Sequence, residues 1–163
     1  MKFVAASALV AFANALTCAD FPSDSSLHAG CHMTVTFSQY SCAKLEPLIS
    51  NEIKSWATGD SCAASGYPGF YTLKLETSGS CIWSTRLTAN KQYTDDQLFT
   101  FVNAGTGCQV IAKSRSESNS YLDNGVNYCN MWNVFAGIGP FAINKISSCS
   151  EEPSDAVTTC ARY

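Results

Sequence analysis

The chain has 163 residues, of which only 14% are charged, and its formal net charge is −3. So sparse and slightly acidic a charge excludes partners that must be held by clustered Lys and Arg, nucleic acids first among them, and gives no support to a strongly acidic substrate. The nine cysteines, at 18, 31, 42, 62, 81, 108, 129, 149 and 160, are spread almost evenly with no CxxC pair; zinc sites use close pairs, so this spacing reads as disulfides in an exported protein.

In chain order, Lys2, the apolar run Phe3 to Ala13 and the small-x-small Ala13-Asn14-Ala15 match the three parts of a secretory signal. The expectation is a signal peptide over 1–15 and a single secreted domain over 16–163. No later stretch approaches the roughly 18 apolar residues of a membrane helix. Cys18 to Gly30 is polar and rich in turn-forming residues. Met33, Val35 and Phe37 then alternate with His32, Thr34 and Thr36, which predicts a strand ahead of the main sheet. Next, Leu45, Leu48, Ile49, Ile53 and Trp56 recur at three- and four-residue spacing. This predicts a helix near 46–56, with Ser41 available as a cap, Pro47 in its first turn and Gly59 beyond its end. A loop from Thr58 to Gly69 contains Cys62 and Pro68.

Four strands are predicted after that loop: Phe70–Thr77, Ile82–Leu87, Gln97–Val102 and Gln109–Arg115, separated by stretches rich in Gly, Asn, Asp and Ser. The sequence therefore predicts an antiparallel meander, with Tyr71, Leu73 and Leu75 on one face and Asp95-Asp96 in a hairpin turn. Farther on, Asn124, Asn127, Asn130 and Asn133 repeat every third position, as on one side of a short helix or 3₁₀ turn whose other side is apolar. Phe141 to Ile146 is a last short strand. The expected fold is α+β: one helix packed on a four- to five-stranded antiparallel meander, stapled by disulfides. Of the cysteine pairings, Cys149–Cys160 is the easiest to close. The odd ninth thiol is expected at Cys18, near the mature N-terminus and able to link two copies in a disulfide-linked dimer, with Cys129 the competing choice.

Gly69-Phe-Tyr-Thr-Leu73, Arg86-Leu-Thr88, Tyr93-Thr-Asp95, Phe99-Thr-Phe101, Gly107-Cys108, Ser116-Glu-Ser118 and Asn127-Tyr-Cys-Asn130 together resemble a group of small secreted cysteine-rich proteins predicted in unicellular algae. The resemblance spans roughly residues 40–135. The group has no assigned activity, so it implies secretion and a cysteine-bearing domain and carries no catalytic residue across. Several members have a further cysteine soon after the Asn-Tyr-Cys-Asn element, where Val134-Phe135 stands here. This implies that one bridge of the group is missing and fits the odd thiol count.

His28 and His32 are the only histidines. At helical spacing they would make a metal pair, but Gly30 lies between them, so two solvated loop histidines are preferred and no metal or cofactor is expected. Any Ser-His or Cys-His nucleophile pair would have to use one of them, and no GxSxG elbow accompanies them. Asp95-Asp96 and Glu151-Glu152 are poor acid/base pairs because sequence neighbours on a strand point to opposite faces. Asp123, Asn127, Asn130 and Trp132 are the candidate binding residues. They combine amides and a carboxylate with an apolar ring, as recognition of a sugar requires; the reading the residues favour, however, is structural, with asparagines capping turns and Tyr128, Trp132 and Phe135 filling core. A cystatin-like inhibitor would need a Gln-x-Val-x-Gly hairpin tip, and Gln109-Val-Ile-Ala-Lys113 lacks the glycine. The function expected is a secreted non-enzymatic binding or surface-interaction module for an extracellular ligand, a carbohydrate or a protein. An extracellular protease inhibitor and a small secreted hydrolase are the competing readings.

Overall fold

A computed structural model of the chain describes residues 15–58 and 69–163. The run expected as a signal peptide, up to residue 14, and Gly59, Cys62 and Pro68 lie outside them.

The described residues form α1 (Cys42–Ser55), α2 (Val126–Ile138), α3 (Ala156–Cys160) and strands β1 (Gly30–Phe37), β2 (Phe70–Thr77), β3 (Cys81–Leu87), β4 (Thr94–Ala104), β5 (Gly107–Ser116) and β6 (Ala142–Ser147). The strands make one antiparallel sheet in the order β2-β3-β4-β5-β1-β6. The meander β2 to β5 is as the alternation predicts. The expected one helix and four to five strands are corrected: among the described residues there are six strands and three α-helices, and β1, expected as a strand added ahead of the meander, joins the sheet beyond β5. It lies between β5 and β6, with Met33 opposite Ala112 on one side and Ile146 on the other.

The alternation of β1 decides which way the sheet faces. Cys31, Met33, Val35 and Phe37 are buried, and they join Ile82, Phe99, Val110 and Ala112 from the meander. Onto this face pack Leu45, Ile49 and Ile53 of α1 and Met131, Val134 and Phe135 of α2. Phe135 sits edge-on to both Phe37 and Phe99, with centroids 5.9 and 5.7 Å away, an arrangement that adds to the energy of simple burial. The opposite face carries a small second cluster of Cys81, Trp83 and Leu98, covered by Cys18 and Phe21.

Leu75 belongs to that second cluster and not to the main core. A register shift between Leu73 and Leu75 puts Leu73 opposite Ser84 and Leu75 opposite Trp83. One extra residue therefore reverses the alternation halfway along β2. α1 starts four residues before the expected Glu46. The carbonyl of Ser41 accepts from the amides of Lys44 and Leu45 at 3.0 and 2.9 Å, while its side chain makes no capping bond. Pro47 is thus inside the helix, where it removes one amide donor from the ladder. Leu48, expected on the apolar stripe, is 37% exposed.

The bridges are Cys18–Cys81, Cys31–Cys149, Cys42–Cys108 and Cys129–Cys160. This overturns the Cys149–Cys160 pairing and both choices for the odd thiol. Cys31 lies on central strand β1 beside the end of β6, so Cys149 meets it before the chain reaches α3. Cys160 instead fixes α3 to α2. Cys18, being paired with Cys81, has no thiol left to link a second copy. All eight described cysteines are paired within the chain, and Cys62 is the ninth.

Candidate functional site

Toward one end of the helix-facing side of the sheet, apolar residues give way to polar ones. Ser84 and Arg86 of β3, Asp95 and Gln97 of β4, and Ser114 and Ser116 of β5 are all buried, and α2 adds buried Asn127 and Asn130 above them. The cross-strand register places Arg86 opposite Asp95 and Ser84 opposite Gln97. Burying so many polar groups is tolerable only when they bond to one another, and most do. Asp95 Oδ1 accepts from Ser116 Oγ at 2.7 Å and its Oδ2 from Asn130 Nδ2 at 2.9 Å. Ser114 Oγ donates to Asn127 Oδ1 at 2.7 Å, and Ser84 Oγ to Gln97 Oε1 at 2.9 Å. Asn127 Nδ2 reaches both Ser116 Oγ, at 3.1 Å, and Asp123 Oδ2, at 2.7 Å. Two carboxylates, Asp95 and Asp123, are thereby joined through one hydroxyl and one amide.

Two groups stand out as under-bonded. Arg86 is 2% exposed, yet among the described residues its Nε and Nη1 have no hydrogen-bond partner, and Nη1 lies 3.9 Å from Asp95 Oδ2. Asn130 Oδ1 is likewise buried and unpartnered. Burial pushes the Asp95 carboxyl above its ordinary value of 3.8, against the pull of Asn130, Ser116 and Arg86. Gly69 is what lets Arg86 lie flat here. A Cβ on it would sit 2.6 Å from Arg86 Cγ, Arg86 Nε and the Leu87 carbonyl oxygen. Gly69→Ala is therefore expected to cost about 1–3 kcal/mol, as overpacking does. Urea unfolding of the variant checks this, and an unchanged midpoint refutes the packing.

Over this cluster opens a cleft of about 330 Å³, lined by Tyr93, Asp95, Ser116, Ser118, Asn119, Leu122, Asp123 and Asn124 among others. The β3–β4 loop positions Tyr93. Thr88 Oγ1 accepts the amides of Gln92 and Tyr93 at 3.3 and 3.1 Å and donates to Asn90 Oδ1 at 2.7 Å, while Thr88 N bonds Tyr93 O at 2.9 Å. Tyr93 is 54% exposed on this hydrogen-bonded base. Asp123 shapes the opposite wall, its Oδ2 accepting the amide of Asn127 at 2.8 Å and its Oδ1 that of Gly125 at 3.2 Å. Thr88 and Val126 are shared with an adjoining cleft of about 410 Å³ that Arg86, Ala89, Asn90, Arg162 and Tyr163 complete.

Of the four residues singled out in the sequence, the structure brings three together. Asp123 lines the cleft, and Asn127 and Asn130 lie fully buried beneath it with their side chains turned to the sheet. Trp132 is on another side of α2, packed edge-on to Phe141 at 6.5 Å. Asp95-Asp96 is not in a turn but in β4, both residues buried. Asp96 faces the other side of the sheet, bonding Trp83 Nε1 at 2.7 Å and Lys74 Nζ at 2.9 Å. Sequence reasoning missed Arg86, Asp95 and Tyr93. An opposite charge pair symmetric about the Thr88–Tyr93 turn was the available signal.

The histidines lie elsewhere. His28 Nδ1 is 2.9 Å from the Ser116 carbonyl oxygen, so it carries the proton, and His32 Nε2 is 2.9 Å from Asp24 Oδ1. His32 is on β1 and not in a loop. His28 lines a hollow of about 420 Å³ with Ser25, Ser26 and Ser150, but among the described residues neither imidazole is hydrogen-bonded to a serine or cysteine side chain. Gln109-Val-Ile-Ala-Lys113 lies inside β5, paired on both sides. Among the described residues there is no group of three or more His, Cys, Asp or Glu able to hold a metal ion, and no helix is long and apolar enough to cross a membrane. Compared with known proteins, the sequence matches no family model and no curated protein.

Proposed function

We propose that the chain is a secreted, non-enzymatic binding module, akin to the small secreted proteins of unicellular algae that its motifs resemble, and that the cleft between Tyr93 and Asp123 takes a saccharide. The observation that carries this reading is the company Tyr93 keeps. A half-exposed aromatic ring on a stiff loop faces a wall of hydroxyls, amides and carboxylates. Sugars present the complementary surface, with C–H patches for the ring and hydroxyls for the polar groups. The buried network below holds that wall in place, so little ordering cost falls on binding. Four intramolecular disulfides, typical of extracellular proteins, agree with a role outside the cell.

Calorimetric titration against a panel of oligosaccharides tests it. At least one should bind, and Tyr93→Ala and Asn119→Ala, both at exposed positions that spare the core, should each weaken it by about tenfold, or ~1.4 kcal/mol. A panel with no binder, or a binder indifferent to both changes, overturns the assignment.

A further inference from the structure

The adjoining cleft holds a cation without an adequate partner. Arg86 is the only buried Lys or Arg among the described residues. A guanidinium has five N–H donors arranged to grip a planar or tetrahedral oxyanion. Among the described residues Nε and Nη1 donate to nothing, and both are sealed from solvent, so Nη2 is the amino group left to face the cleft. Its one acidic neighbour within 4 Å among the described residues, Asp95, stands at 3.9 Å, beyond hydrogen-bond reach, with both oxygens already engaged by Ser116 and Asn130. A buried charge left in that condition is costly, and structures that keep one generally satisfy it with an anion. The space for one is present, since Arg86 lines the cleft of about 410 Å³. Exposed Arg162 and Asn90 stand on its rim, and Ala89, Val126 and Tyr163 supply less polar walls.

From this geometry we infer that the ligand is an acidic saccharide, its carboxylate or sulfate group held by Arg86 and Arg162 while its neutral rings extend over Thr88 and Val126 into the Tyr93 cleft. The inference rests on the saccharide reading above and adds the charge that the sugar must carry. The negative groups nearby do not forbid it. Both Asp95 oxygens are engaged by Ser116 and Asn130, and the Asp123 carboxylate is committed to the amides of Gly125 and Asn127.

The test is titration of the full chain with a neutral oligoglucose, an oligouronate, a sulfated oligosaccharide and inorganic sulfate, repeated on Arg162→Ala and Arg86→Gln. The expected result is that an acidic oligosaccharide binds at least about tenfold more tightly than oligoglucose, and that this preference shrinks in both variants and at raised salt. Which of the two acidic probes binds tells carboxylate from sulfate. Arg162 is exposed, so its variant decides the matter even where Arg86→Gln fails to fold. Equal binding of neutral and acidic sugars, or a preference unchanged in Arg162→Ala, overturns the anion site and leaves the saccharide reading standing. Binding of inorganic sulfate with no saccharide bound overturns the saccharide reading and with it this ligand assignment; binding of no probe overturns both.

Discussion

Full reduction is expected to unfold the protein, and removal of the Cys31–Cys149 bridge alone to lower its melting temperature by roughly 10–20 °C. The bridges join residues 63, 118, 66 and 31 positions apart. In the loop-entropy account the longest is worth about 5 kcal/mol and the shortest about 4 kcal/mol. A domain of this size has a net stability of about 5–15 kcal/mol, so the loss of all four exceeds what packing leaves over. Circular dichroism with and without reductant reads the first effect, and melting of Cys31→Ala/Cys149→Ala against Cys129→Ala/Cys160→Ala the second. A fully reduced chain that keeps its cooperative melt refutes the argument. The same pairing fixes a count. Thiol titration of the unfolded, unreduced protein should find one group, and peptide mapping should place it on Cys62. Label on Cys18 or Cys129 would contradict the pairings found here.

Those pairings were out of reach of the sequence for a simple reason. Eight cysteines allow 105 connectivities, and nothing local distinguishes partners that are brought together by the sheet. Cys31 and Cys149 meet because β1 and β6 are neighbours, and the place of β1 was itself not legible. The alternation of Met33, Val35 and Phe37 announces a strand, yet it says nothing of which strands flank it. β2 to β5 were legible because hairpin neighbours in sequence are neighbours in space. Even there, the reversal of Leu75 was hidden, since a one-residue bulge leaves no mark in composition.

The candidate site was half legible for a related reason. The spacing of Asn127 and Asn130 correctly puts them on one side of a helix, but it does not tell which side meets the sheet, and α2 turns them to it. What makes that possible lies far away in sequence, in Ser114, Ser116 and Asp95, which answer each amide. Asp95-Asp96 reads as a turn because adjacent carboxylates seldom find burial tolerable. In β4 the two point to opposite faces, and each has its own partners there, Ser116 and Asn130 for Asp95, Trp83 and Lys74 for Asp96. The strand thus separates two charges that a turn would have left together in water.

Asp95 is accordingly the residue whose loss should be felt most among the polar groups. Asp95→Ala removes the acceptor for Ser116 and Asn130 and leaves both donors buried and unbonded, at about 1–3 kcal/mol each, so a large destabilisation is expected. Asp95→Asn should cost less. Its amide oxygen keeps an acceptor for Ser116, and its nitrogen, placed where Asp95 Oδ2 now accepts from Asn130 Nδ2, finds an acceptor when the Asn130 amide turns over to present Oδ1, unpartnered among the described residues. The pair of wild type and Asp95→Asn also isolates the titration of this one carboxyl. Burial raises its folded-state value above 3.8, so between the two values the folded state binds more protons than the unfolded one. Stability from this group is then fully present below pH 3.8 and declines as pH rises through the folded value, the reverse of an ordinary salt-bridged aspartate. Urea unfolding of both proteins from pH 3 to 8 should show the wild type losing ground to Asp95→Asn as pH rises. A difference that widens in the wild type's favour over that range would mean that the Arg86 charge, and not desolvation, governs Asp95.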